Sequence, residues 1–177
     1  LTVTLKSKMA LKSVNSVIDT MDVKVTHKNV LIVGIGNILQ MDDGIGPHVI
    51  TDLLESDHDL PDNIDILDGG TAGYDLVPYM QNRDRIIVID ALKVDDKPGS
   101  IYHFTADNIA PDRSTYSLHD FGLKKILDML KMSGHEPHVE IIGIVPEDIT
   151  TLDIGLTRPV KDAIPKVLDL IRNVINE

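Results

Sequence analysis

A chain of 177 residues, 42% hydrophobic and 25% charged, has the size and balance of one globular domain with a substantial core. It has no cysteine, which removes disulfides, thiolate catalysis, iron–sulfur ligation and cysteine zinc sites, and leaves carboxylate, imidazole, carbonyl or water for any metal. The net charge of −11 is uneven: residues 1–28 hold five lysines against two aspartates, a net +3, so the rest carries −14, a poor match for nucleic acid.

Residues 1–28 lack periodicity and read as an N-terminal extension, partly helical around residues 13–21 and without the apolar core of a secretory signal. Residues 29–177 read as a single domain. No apolar run approaches the roughly 20 residues that span a bilayer, so a cytoplasmic protein without membrane contact is expected. The β-branched run at residues 30–35 predicts a strand buried on both faces. Pro47 suits the first turn of a helix that runs to about Ser56, with Val49, Ile50, Leu53 and Leu54 on one face.

A loop through Pro61 leads to a second strand at residues 64–67, which ends at Asp68-Gly69-Gly70-Thr71. A short helix is predicted over about residues 74–81, then a third strand at 85–89 that ends at Asp90. After the turn Lys97-Pro98-Gly99 comes a strand at 100–104; with no helix before it, it suits an antiparallel place in an otherwise parallel sheet. A polar loop over 107–118 precedes a helix from about His119 to Met132, whose stripe is Leu123, Ile126, Leu127 and Leu130. Ser133-Gly134 stops it, and residues 139–145 form another buried strand. The last helix spans about residues 157–175, with a kink expected at Pro165. Strands alternating with helices predict a three-layer α/β/α domain.

In open α/β sheets, ligands gather beyond the C-terminal ends of the strands. Three strands here lead to acids: the first to Asp42 and Asp43, the second to Asp68, the third to Asp90. Carboxylates gathered on one edge repel one another, and a cation or shared protons relieve that cost. Each acid also has a structural reading. Asp43 and Asp90 could cap helices, and Asp68 could organise a turn through its own side chain. Of the seven histidines, His27, His48 and His58 fall in exposed segments or on polar helix faces, and His103 alternates with core positions on a strand. His135 and His138 flank Pro137 in a loop. His119 differs, because it opens a helix after a long polar loop.

The glycine turn after the first strand invites a nucleotide, but Leu39 stands where a dinucleotide fingerprint needs glycine, and Asp42-Asp43 would repel phosphate. There is no Gly-x-Ser-x-Gly elbow for a serine hydrolase.

The run Gly34-Ile35-Gly36-Asn37-Ile38-Leu39, followed by Asp42-Asp43-Gly44-Ile45-Gly46, resembles the opening motif of nickel–iron hydrogenase maturation endopeptidases. The similarity continues at Asp68-Gly69-Gly70-Thr71-Ala72-Gly73, Ile89-Asp90-Ala91 and Ser117-Leu118-His119-Asp120-Phe121-Gly122-Leu123. It persists through Gly143-Ile144-Val145-Pro146-Glu147 and Gly155-Leu156-Thr157, in the family's order over about residues 29–175.

The resemblance implies a twisted five-stranded mixed sheet between helices and an endopeptidase. Such an enzyme removes a C-terminal extension from the hydrogenase large-subunit precursor once nickel is inserted. It places metal contacts at Asp43, Asp90 and His119, with nickel supplied by the precursor and no nucleotide. Two carboxylates and an imidazole are a donor set that nickel or zinc accepts. Asp43 and Asp90 are the candidate catalytic acids, either able to act as base toward water. Gly36, Asn37, Asp42, Asp68, Gly69, Gly70 and Thr71 are expected to shape the cleft. The competing reading is a non-catalytic chaperone that senses nickel; a nucleotide-binding module is a third.

Overall fold

A computed structural model describes residues 29–56, 60–108 and 118–176, with side chains over the same residues except 108 and 118–121. The N-terminal extension, His27, His58 and most of the 107–118 loop therefore lie outside the described residues. Five strands form one sheet in the order β2-β1-β3-β5-β4: β1 (Val30–Ile35), β2 (Ile64–Gly70), β3 (Arg85–Ala91), β4 (Ile101–Thr105) and β5 (His138–Ile144). All neighbours are parallel except β4, which runs antiparallel to β5 at the edge, as its short connection required.

The three central strands are buried almost throughout because helices cover both faces, so their sequences read as continuous apolar runs. Alternate residues still separate into two cores. Val30, Ile32, Ile87, Ile89, Ile142 and Ile144 face α1 (Ile45–Ser56), α4 (Arg158–Lys161) and α5 (Ile164–Ile175). Leu31, Val33, Ile35, Ile86, Val88 and Ile141 face α2 (Val77–Met80) and α3 (Leu118–Met132). The two cores on either side of the sheet make the expected three-layer sandwich. The edge strands β2 and β4 are only partly buried.

Helix α1 begins hard against the sheet. A Cβ on Gly46 would lie 2.3 Å from the Ile35 carbonyl oxygen and 2.6 Å from that of Ile89, so only glycine allows this approach. The contact fixes the start of α1 over the C-terminal ends of β1 and β3.

Several expectations are corrected. The predicted single C-terminal helix is two helices, α4 and α5, because Pro165 has no N–H to return to the Lys161 carbonyl and instead sits in the first turn of α5. The apolar face nonetheless continues across the break, with Val160, Ala163, Ile164, Val167, Leu168 and Ile171 all buried. Leu54 is 55% exposed: it lies about 100° round from Leu53, past the edge of the stripe that packs on the sheet. The helix predicted over residues 74–81 is a 3-10 turn, Gly73–Leu76, joined to α2. Strand β3 runs two residues further than predicted, through Ala91, and no helix follows it, so Asp90 is a strand residue and not a helix cap.

Candidate active site at the C-terminal edge of the sheet

After β1 the chain turns at Gly36, where φ is +144° and a Cβ would meet the Asp43 carbonyl oxygen at 1.9 Å. Asn37 then organises the loop. Its side chain accepts from Leu39 N–H at 3.1 Å and donates to Gln40 Oε1 at 3.1 Å, while its own N–H donates to Asp43 Oδ2 at 3.1 Å. A 3-10 turn, Met41–Gly44, carries both aspartates directly into α1. Asp42 and Asp43 are buried, and so is Asp90 at the end of β3.

Register places these groups. Gly34 pairs with Asp68 on one side and Ile89 on the other, so Asp90 lies one step beyond that row. Its neighbours Ile89 and Ala91 belong to the α1/α5 core, which turns Asp90 to the α2/α3 face. Helix α3 covers that face and ends just before β5 starts at the opposite edge of the sheet, so α3 begins at the C-terminal edge. The backbone of His119, second residue of α3, is thus carried to the same edge and face as Asp90; its side chain is outside the described residues. Among the described side chains no three His, Asp or Glu gather closely enough to hold a metal.

Asp68 is exposed and accepts the Gly70 N–H at 3.0 Å, which is the turn-forming role weighed against a functional one. Gly36 N–H donates to Gly70 O at 3.0 Å, tying this second turn to the first. Gly69 is buried and Thr71 exposed. These residues lie at the C-terminal ends of β1 and β2.

Asp42 has a role that the sequence did not disclose. Its Oδ2 accepts the N–H groups of Glu147 and Asp148 at 2.8 and 3.0 Å and the Thr157 hydroxyl at 2.8 Å; its Oδ1 accepts Thr157 N–H at 2.7 Å. Four neutral donors saturate one carboxylate, which leaves it no free lone pair to offer a metal. The backbone reinforces the same junction: Asp42 N–H donates to Asp148 O at 2.9 Å and Met41 N–H to Asp153 O at 3.2 Å. Asp148 in turn accepts from Thr150 and Thr151, and the Thr151 hydroxyl above all holds its carboxyl well below the usual carboxylate range. The signal lay in the Pro146-Glu147 and Gly155-Leu156-Thr157 motifs, which had no assigned partner.

At the other edge of the sheet, Glu140 is buried between Arg85 and His103. Arg85 Nε donates to Oε1 at 2.6 Å, His103 Nε2 lies 2.7 Å from Oε2, and His138 Nε2 lies 3.3 Å from Oε1. Burial pushes this carboxyl up, yet the hydrogen bonds and charges of Arg85 and His103 outweigh it and hold it below its ordinary 4.5. His138 is thus the first residue of β5, with its ring beside the Glu140 carboxylate, and not simply a loop histidine. His48 is likewise not on an exposed polar face: it is half-buried, with Nε2 inaccessible and unpartnered.

The family model described as hydrogenase maturation protease matches residues 47–174. The chain is 34% identical over 151 residues to the hydrogenase 2 maturation protease of Escherichia coli K12, covering 84% of this chain and 91% of that protein. The chain belongs to the hydrogenase maturation protease family. It is also 35% identical over 151 residues to the hydrogenase expression/formation protein HupD of Bradyrhizobium diazoefficiens, covering 84% of this chain and 78% of that one. Its fold matches the solved hydrogenase maturating endopeptidase HybD of E. coli with a TM-score of 0.76 at 33% identity, over 84% of this chain and 92% of that one. As a hydrogenase maturation protease, the molecule is a peptidase that acts in hydrogenase processing. Among its described residues no helix is long and apolar enough to cross a membrane.

Proposed function

We propose that this peptidase removes the C-terminal extension of a nickel–iron hydrogenase large-subunit precursor after nickel has been inserted, and that it recognises the nickel carried by that substrate. Asp43 and Asp90 supply carboxylate oxygens and His119 an imidazole nitrogen, a donor set suited to a borderline cation. The nickel arrives held by the precursor, so the enzyme needs only to complete its coordination. Hydrolysis adds water across the scissile peptide bond: hydroxide joins the carbonyl carbon and the proton ends on the leaving amine. Asp43 or Asp90 acts as the base toward that water, an aspartyl-type role. No nucleotide, nucleic acid or membrane takes part.

The observation that carries this reading is the burial of Asp43 and Asp90 at the strand edge where α1 and α3 begin. A carboxylate buried away from water is costly without a charge partner, and a cation brought by the substrate supplies one. The test is the mass of the precursor after incubation with the enzyme, nickel-loaded and nickel-free in parallel. The expected result is loss of the extension in the nickel-loaded sample only. An intact extension in that sample contradicts cleavage, and equal processing of both contradicts recognition of nickel.

A further inference from the structure

We propose that Asp42 is a positioning residue, pinning the 146–157 loop to the loop that carries Asp43 so that Leu152 and Ile154, with Ile38 and Leu39, form an apolar lip that grips the precursor. The proposal rests on the processing function given above and adds the surface that selects the substrate.

All four hydrogen bonds accepted by the Asp42 carboxylate come from Glu147, Asp148 and Thr157, at the two ends of that loop. Between those ends, Gln40 pairs in parallel with Asp153, and Met41, at a φ of +47°, is held by the Asp153 carbonyl. The bridge brings the two loops together at Gln40 and Asp153, and Leu39 and Leu152 are the residues that precede these partners in the chain. These four apolar side chains are turned outward: Leu152 is 78% exposed, Ile154 69%, Leu39 54% and Ile38 45%.

Neither loop buries them, yet a saturated buried carboxylate and a strained backbone hold the two loops that carry them together. Exposed apolar residues gathered on one surface mark a contact site. The lip is continuous through Met41 and Asp42 with the turn that carries Asp43, so its occupant is the polypeptide that presents a peptide bond to the carboxylates: an apolar segment of the precursor next to the cleaved bond. Such contacts bind substrate and transition state alike, so their loss appears in KM and not in kcat.

The experiment measures kcat and KM for nickel-loaded precursor with the wild type, the double variant Leu152→Ser/Ile154→Ser and Asp42→Asn. Asparagine keeps the shape of aspartate but can accept at only one of its two polar atoms, so it releases part of the loop. The double variant changes only exposed side chains and leaves the fold intact.

Each is expected to raise KM about tenfold with kcat within about twofold. Unchanged KM in the double variant overturns the proposal, and it decides the question even where Asp42→Asn does not fold. A drop in kcat at constant KM in Asp42→Asn also overturns it, by moving Asp42 into the chemistry, as does a lowered thermal midpoint with both constants unchanged. A wild-type dimer that the double variant abolishes would assign the lip to a second copy and overturn it too. Wild-type enzyme that leaves the precursor intact marks failure of the processing function itself, a result distinct from all of these.

Discussion

Glu140 and Asp42 are both buried carboxylates with every oxygen engaged, yet they sit at opposite edges of one sheet and are satisfied in opposite ways. Glu140 is met by a guanidinium and two imidazoles from β3, β4 and β5. Asp42 is met by three backbone N–H groups and one hydroxyl, all from one loop. Opposite charges on neighbouring strands hold the sheet's framework together, and their balance depends on pH. Neutral donors on a loop fix a position without adding a cation, which leaves the edge free for the nickel proposed to arrive with the substrate. The difference separates residues that maintain the fold from residues that arrange the site.

The sharpest way to break this division is through the acids that the site account uses directly. Asp43→Asn, Asp90→Asn and His119→Ala are each expected to lower the processing rate by about 100-fold or more with an unchanged circular dichroism spectrum. Normal processing by any of the three removes that residue from the site. Next in size is the framework edge. Glu140→Leu leaves Arg85 buried without its carboxylate and is expected to cost about 3 kcal/mol in denaturant unfolding, while the folded enzyme keeps its KM and kcat. A change in KM would show that the two edges are not separate.

The same carboxylate predicts a pH dependence. Its pKa is lower in the folded chain than in the unfolded one, so its stabilising effect is complete above the ordinary value of 4.5 and disappears as pH falls through the lower folded value. Wild-type stability should therefore decline below about pH 4.5 more steeply than that of Glu140→Leu; parallel curves would contradict the assignment. The smallest effect is expected for Thr157→Val, which removes one of the four hydrogen bonds to Asp42 but keeps the backbone one, at about 1 kcal/mol.

The sheet was legible because its signals are local. Apolar runs, strand-ending glycines and prolines at helix starts lie within a few residues of what they determine, and β4's antiparallel place followed from a turn too short for a crossover. Pro165 failed as a kink because a proline signals a lost hydrogen bond without saying whether the helix resumes in line or starts again. The location of Asp43 and Asp90 at the C-terminal edge of the sheet was legible from the ends of the apolar runs, although β3's extension through Ala91 removed the helix-cap reading of Asp90.

The pin at Asp42 was not legible as such, since its partners lie 105 to 115 residues away and act through backbone N–H groups that any residue would offer. Glu140 was hidden for a similar reason: a single acid inside an apolar strand, with Arg85 55 residues away and His103 37.

The proposed recognition of nickel by the carboxylate edge predicts a difference in affinity between nickel-loaded and nickel-free precursor. Calorimetry on the wild type, Asp43→Asn and His119→Ala should show the loaded form binding at least about tenfold more tightly to the wild type, with the preference lost in both variants. Equal affinity of the wild type for the two forms, or a preference that survives in both variants, would contradict it.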